Sequence, residues 1–400
     1  MFFENAGGSL TLKQAVERTA ELQTIPDNLG RSNAASIALG QTVAQGRDDM
    51  RLLFGASSGE VFIGETGTEL LGRLIRNAAL SIRPGGTGHV LGSNLEHPAT
   101  YSACRRWAEV AGMRYEQVAF DTSTSVVGPE HYSKAITPET VLATIIHASP
   151  VTGMHVDVEA IVDTIRSVAP DCFIIVDGIQ HAAHGLVEVD RYDVDGYVVS
   201  GYKLFSRHNF GVAWISDRLA IIPHDQLDGA PPTVWEMGTR DVSAYAAFSE
   251  VVRYLEWLGS QVSPNASDGR DQLQAATTAI GDHERYLANL MLSGTDTQPG
   301  LTQMDSVSVI GPTNVARSGM VSFSMAHLDG PTVVDRLNEA GIRTHARKRD
   351  YYSATVLEPL DIESCVRVSA GHYNSAAEVD AFLSIVAKLD QSSSRSGPDE

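Results

Sequence analysis

The stretch Asp171–Phe205, DCFIIVDGIQHAAHGLVEVDRYDVDGYVVSGYKLF, decides how the rest of the chain is read. CFIIV is a short, β-branched apolar run of the kind that forms a strand buried on both faces. It stops at Asp177. The next apolar run, GYVVS, stops at Ser200 and places Lys203 just beyond its end. A carboxylate and an amine thus both fall at strand ends, where open α/β sheets form their ligand crevices.

A lysine in that position can form a Schiff base with a carbonyl, and an aspartate can keep a pyridinium nitrogen protonated so that the ring absorbs electrons. Pyridoxal phosphate enzymes divide the work in this way. Two residues do not decide the matter, because acids and lysines at strand ends are common. The surrounding residues add more. DGIQH followed by SGYK resembles the DxxQ and SGHK motifs of the class V aminotransferase and cysteine desulfurase-like family of fold-type I pyridoxal phosphate enzymes. The likeness continues in the family's order over roughly residues 1 to 390. It implies an α/β fold of PLP type I, with a mainly parallel central sheet, helices on both faces and a small C-terminal α+β domain. The expected division is an N-terminal segment near the active site (1–14), a large cofactor-binding domain (15–258), and a connecting helix with the small domain (259–390). The last ten residues, QSSSRSGPDE (391–400), are poor in apolar side chains and are expected to be disordered.

The resemblance implies that Asp177 meets the pyridine nitrogen, Gln180 the ring oxygen, Ser200 the phosphate and Lys203 the cofactor aldehyde. Tyr202 stands where desulfurases have a phosphate-binding histidine, and a phenol can still donate a hydrogen bond. Upstream, VFIGETGTELLGRLIRNAA reads as strand, glycine-rich turn and helix. Amides at a helix N-terminus together with a hydroxyl make a phosphate site. The resemblance puts Gly67 and Thr68 there, the alternative being an ordinary N-cap by Thr66 or Thr68. In EHPAT, His97 would lie over the cofactor ring and move protons, since imidazole titrates near neutrality. In EMGTRDVS, Gly238 and Thr239 would cross a homodimer interface to the partner's phosphate, or simply cap a helix. Arg31, in a polar loop, is either a substrate contact or a solvated arginine. His181 and His184 read as structural or loop residues.

RVSAGHYN matches the family's R-x-S-x-x-x-YN, which makes Arg367 the candidate grip for a substrate α-carboxylate and points to an α-amino acid. The alternative is an arginine paired with a helix. Two departures limit the reading. HASPVTG replaces the family's HVSNETG, so Pro150 stands where desulfurases have asparagine, with Ser149 and Thr152 as the nearby donors. From Gly341 to Leu357, GIRTHARKRDYYSATVL holds no cysteine, although this is where desulfurases carry their sulfur acceptor. Cys365 lies in an apparent strand, a poor place for a mobile thiol.

The same loop carries His345, Arg347, Lys348, Arg349, Tyr351 and Tyr352. It is either a solvated basic loop or a receiver for a second acidic group on the substrate, with Arg347 as the candidate contact. The expected activity is a desulfurase-like Cβ (C–S) lyase without the persulfide cysteine. Transamination or epimerisation would use the same residues. A non-catalytic binding protein on this fold would have lost Lys203 or Asp177, and a nucleotide-binding oxidoreductase would open its first strand-helix unit with GxGxxG.

Composition allows one large α/β domain and a smaller one. Four hundred residues with 43% hydrophobic content are ample for a sizeable core. No run of about 18 apolar residues suggests a membrane span. MFFENAGGSLTLKQ lacks the basic-then-apolar layout of a secretory signal, so a cytoplasmic protein is expected. The three cysteines form no CxxC or Cys/His pattern, and neither a disulfide framework nor a metal is expected. A net charge of -19 disfavours nucleic acid and anionic membranes as partners. A small-molecule partner fits better, and the resemblance implies an amino-acid substrate and a homodimer.

Overall fold

The computed structural model describes residues 1–26, 28–82, 88–311 and 317–394. Its main sheet contains β1 (Glu60–Gly64), β2 (His89–Ser93), β3 (Arg114–Val118), β4 (Thr140–Ile146), β5 (Phe173–Asp177), β6 (Gly196–Ser200) and β7 (Gly211–Ile215). They lie side by side in the order β1-β7-β6-β5-β4-β2-β3. Neighbours pair in parallel except at β7, which is antiparallel to both β1 and β6. The central strands are buried on both faces, as their unbroken apolar runs require.

Alternation along β5 sends Ile175 to one side and Ile174 and Val176 to the other. On the Ile175 side the helices Gly67–Ser81 and Pro98–Ala111 bury Leu70, Leu71, Leu74 and Cys104 against Leu142, Val198 and Ala213. On the opposite side the helices Ala34–Phe54, Val158–Val168 and Val242–Val262 bring Phe54, Ile161, Ile165 and Phe248 onto Ile145, Val176 and Val199.

A second, antiparallel sheet contains β8 (Val307–Val309), β9 (Met320–Met325), β10 (His345–Lys348) and β11 (Ser364–Ser369), in the order β10-β11-β9-β8. Its core places Val321, Phe323, Val366 and Val368 against Val333 and Leu337 of the helix Gly330–Glu339 and Phe382 and Leu383 of the helix Ala376–Ser394. The long helix Gly269–Ser293 serves both cores. Leu273, Ala276 and Ile280 belong to the large one, and Leu287, Ala288 and Met291 to the small one. The N-terminal segment also bridges them: Glu4 pairs with Ser369, and the Ser9 amide donates to the Tyr202 carbonyl at 3.0 Å.

Two expectations change. The basic stretch between Gly341 and Leu357 is not one loop, because HARK forms β10 on the edge of β11 and Ala354–Leu357 makes a short helix. A backbone partner, rather than apolar side chains, makes that strand. The tail expected to be disordered from residue 391 is helical as far as Ser394, and residues 395–400 lie outside the described residues. Among the described residues no helix is long and apolar enough to cross a membrane.

Candidate active site

The C-terminal ends of β4, β5 and β6 and the start of the helix Gly67–Ser81 converge on one cavity of ≈ 160 Å³. Its wall brings together Gly67, Thr68, His97, Asp177, Gln180, Ser200, Tyr202 and Lys203. The Thr66 hydroxyl caps the helix by accepting from the Glu69 amide at 3.0 Å. Cap and phosphate site are therefore compatible, since the first amides of a helix have no partner within it. A Cβ on Gly67 would sit 2.4 Å from Ile179 Cδ1 and 2.5 Å from Ser200 Oγ, so any side chain there would fill the cradle.

Asp177 is buried, with Oδ1 accepting from the Ile179 amide at 3.0 Å and Oδ2 from Thr100 Oγ1 at 3.3 Å. Burial pushes its carboxyl up, against the Ile179 amide, the Lys203 charge and the Thr100 hydroxyl. Among the described residues it makes no ion pair. A buried acid without a direct cationic partner suits a protonated ring nitrogen, and the donors around Gly67 suit a phosphate, so the residues present fit pyridoxal phosphate.

Lys203 Nζ donates to Gln180 Oε1 at 2.9 Å. Its amine is enclosed although the residue keeps some exposed surface. Burial first, then Arg367, and also Arg347, bring the amine down to about 7, while Asp177 opposes. An amine near neutrality supplies the uncharged form that attacks a carbonyl. His97 caps the helix Pro98–Ala111, its Nδ1 accepting from the Ala99 amide at 3.2 Å, which leaves the ring proton on Nε2. Burial, with Lys203 and Arg347, pushes it to about 4. That direction favours the neutral ring over the imidazolium.

Two arginines complete the electrostatics. Arg367 on β11 is 1% exposed, and its Nη1 donates to the carbonyl of Pro150, a cavity residue, at 2.8 Å. Burial and then the charge of Arg347 bring it down to about 9. Arg347 on β10 is lowered by burial too, and the Nε of each has no hydrogen-bond partner. The rest of the basic group goes elsewhere. Arg349 pairs with Asp361 at 3.2 Å and Glu363 at 2.8 Å, and His345 with Glu4 at 3.4 Å. Ser149 Oγ accepts from the Thr152 amide at 3.1 Å and Thr152 Oγ1 from the Met154 amide at 3.4 Å, so both hydroxyls hold their own turn.

Within one chain, Arg31, Gly238 and Thr239 do not reach this cavity; they line a second one of ≈ 530 Å³. Cys104, Cys172 and Cys365 are free and buried, and burial pushes each thiol up to about 12. Sequence reasoning passed over Glu96, although EHPAT places it beside His97. Its Oε1 accepts from the Ile146 amide at 3.1 Å, its Oε2 has no partner, and burial followed by the Asp177 charge pushes it up to about 8. Thr100 and the buried pair His184–Glu284 were also missed, the latter because Glu284 lies a hundred positions away.

A sheet with a single antiparallel strand, and an enclosed lysine and aspartate at its strand ends, define a fold-type I enzyme that depends on pyridoxal phosphate. The chain belongs to the class-V aminotransferase family, whose sequence model matches residues 1–284 and 274–382. It is similar to a "Probable cysteine desulfurase" of Vibrio cholerae, 25% identical over 349 residues that span 86% of this chain and 81% of that one. The "Aminotransferase-like protein FGM3" of Gibberella zeae is 24% identical over 401 residues, 96% of this chain and 93% of the other. A cysteine desulfurase structure from Thermococcus onnurineus NA1 superposes with a TM-score of 0.83 at 22% identity, covering 98% and 95% of the two chains, and so shares the fold.

Proposed function

We propose that the protein breaks a bond at Cβ of an α-amino acid that carries a second anionic group, without passing sulfur to a protein thiol. The observation that carries this reading is the pair of guanidiniums of buried Arg367 and half-buried Arg347, which bear on Lys203 while the Nε of each lacks a partner. Arg367 would grip the α-carboxylate, and Arg347 would meet the second anion.

Bound pyridoxal phosphate supplies an electron sink for the negative charge left at the α-carbon. Asp177 would hold the proton on the ring nitrogen. Gly67, Thr68, Ser200 and Tyr202 would bind the phosphate, and Gln180 would meet the ring oxygen. Lys203, enclosed and brought down to about 7, is the group suited to take the α-proton. His97 would cover the ring and offer its Nε2 hydrogen without carrying charge.

The thiols support the departure from desulfurases. Cys365 is buried in β11, and burial pushes its thiol up to about 12, which withholds the thiolate that accepts sulfur. The cavity lined by Arg31, Gly238 and Thr239 supports a homodimer in which these residues enter the partner's site. Three buried free thiols fit a reducing, cytoplasmic setting.

The test is product analysis by mass spectrometry over amino acids with and without a second acidic group. Loss of the β-substituent, fastest for the diacids, is expected. Amino transfer to a keto acid, or bare inversion at Cα, would overturn the lyase reading.

A further inference from the structure

A line of buried polar groups leads away from the lysine. Lys203 Nζ donates to Gln180 Oε1 at 2.9 Å, Gln180 Nε2 meets His184 Nε2 at 3.5 Å, and His184 Nδ1 meets Glu284 Oε2 at 2.6 Å. Gln180, His184 and Glu284 are all buried. Glu284 lies on the helix Gly269–Ser293, which contributes to both hydrophobic cores. That helix packs directly on the turn carrying His184, since a Cβ on Gly281 would come 3.1 Å from the His184 carbonyl oxygen.

The chemistry of these groups gives the line a direction. A carboxylate only accepts, so His184 turns an N–H at Nδ1 toward Glu284, and the neutral ring then presents a lone pair at Nε2. An amide can satisfy that lone pair only with its nitrogen. Gln180 is thereby held with Nε2 toward His184 and Oε1 toward Lys203, and Nε2 keeps a second N–H for the cavity.

We propose that His184 and Glu284 are positioning residues that fix the orientation of the Gln180 amide, so that the helix shared by the two cores sets the hydrogen bond made by the active-site lysine. This assigns His184 a role that its loop position does not suggest. The inference rests on Lys203 being the cofactor lysine. Replacing the carboxylate releases the polarity at one end: an amide at 284 donates as readily as it accepts, so the His184 proton is no longer held on Nδ1 and the Gln180 amide is free to turn over. Lys203 then faces an N–H instead of an oxygen, and its charged form loses a partner. The other charged or titratable groups that bear on Lys203 are Asp177, Arg347, Arg367 and His97, and His184 is faced by His155, His181 and His372. None of these is altered by the change.

The experiment follows trace acetylation of Lys203 against pH in the full-length, cofactor-free chain, read by mass spectrometry. Circular dichroism checks the fold. Glu284→Gln is expected to move the reactivity midpoint of Lys203 to lower pH by roughly one unit, the size of one charge-assisted hydrogen bond. In a Gln180→Ala background the same change should move nothing. An unmoved midpoint in folded Glu284→Gln, or an equal shift without Gln180, would overturn the proposal. Should Glu284→Gln not fold, His184→Asn carries the test, because an amide at the Nδ1 position still reaches Glu284 but not Gln180, and the same downward shift is expected. The cofactor assignment is tested apart from this: a Lys203→Ala protein that keeps a borohydride-sensitive visible band would remove that assignment and leave the labelling result standing.

Discussion

Arg347 lies diagonally across the β10–β11 pair from Arg367. In the antiparallel register Arg367 faces His345 and Arg347 faces Cys365, which puts both arginines on one face of the small sheet. Each guanidinium is burdened by burial, and Arg367 also by its neighbour's charge. Buried like charges are expensive unless an anion joins them. Glu4 offsets part of this for both arginines, and the proposed second anionic group of the substrate would offset more.

Replacing Arg347 with glutamine should therefore raise KM for a diacid substrate by roughly 10- to 100-fold, the range of a lost charge-assisted hydrogen bond. Steady-state kinetics on amino acids with and without a second acidic group are the check. An equal loss for both classes would mean that Arg347 does not read the second anion. Arg349→Gln is the control. Its ion pairs with the exposed side chains of Asp361 and Glu363 are surface contacts, and their loss is expected to leave KM unchanged.

Asp177→Asn should lower kcat by on the order of 10²–10⁴, because an amide cannot hold the ring proton as a carboxylate does. Thr100→Val removes one 3.3 Å hydrogen bond to the same carboxylate and should cost far less. Pre-steady-state absorbance after mixing with substrate separates the two variants. Normal kinetics in Asp177→Asn would remove the electron-sink argument.

Cysteine should leave no sulfur on the protein. Intact-mass and peptide spectra after incubation with cysteine are expected to show Cys365 unmodified, with Cys104 and Cys172, equally buried, as internal controls. A stable added sulfur atom on Cys365 would contradict the proposal and return the chain to the desulfurase mechanism.

In light scattering the active protein should behave as a dimer, since Arg31, Gly238 and Thr239 face a cavity of their own within one chain. A monomer with full activity at the same concentration would leave that cavity without the role proposed for it.

How far the sequence could be read follows from where each signal lives. Strands β4, β5 and β6 are apolar runs buried on both faces, and their ends mark Asp177, Ser200 and Lys203 without further help. β3 and β10 were not legible. Both are edge strands whose residues, RYEQV and HARK, are partly exposed, so each is held by its neighbour's backbone more than by an apolar pattern. The same limit applies to the site. Gly67, Thr68 and His97 could be placed because each sits next to a helix start. That Arg349 turns to Asp361 and Glu363 while Arg347 turns inward depends on strand register, which no local pattern in a basic stretch discloses. Glu284 acquires its meaning only from His184, and the two meet through tertiary packing alone.

Acidification should destabilise the fold through a buried histidine cluster beneath the active site. His147 stacks on His181 with ring centroids 3.5 Å apart, and His155 meets His181 edge-on at 5.2 Å. His147 Nδ1 bonds the Tyr197 hydroxyl at 2.7 Å, and His155 Nε2 the Ser318 hydroxyl at 3.2 Å. Burial is the main cause that lowers all three, His155 to about 3, His181 to about 4, and His147 well below the ordinary value. The unfolded chain binds these protons near pH 6.5 while the folded chain refuses them, so stability is intact above about pH 6.5 and falls as pH drops below it. Each histidine contributes a slope of up to about 1.4 kcal/mol per pH unit until its folded value is reached. Glu96 works in the opposite sense, since its carboxyl, pushed up to about 8, is relieved by protonation as pH falls. One such acid, with Asp177 raised in the same direction, offsets part of the slope but not the whole cluster. The melting temperature should accordingly drop between about pH 7 and pH 5. In His147→Asn, where an amide takes over the bond to Tyr197 without a titrating ring, the drop should be shallower by roughly one proton's worth. A melting temperature that stays level over that range, or a slope unchanged in His147→Asn, would show that these rings are not the groups refusing the proton.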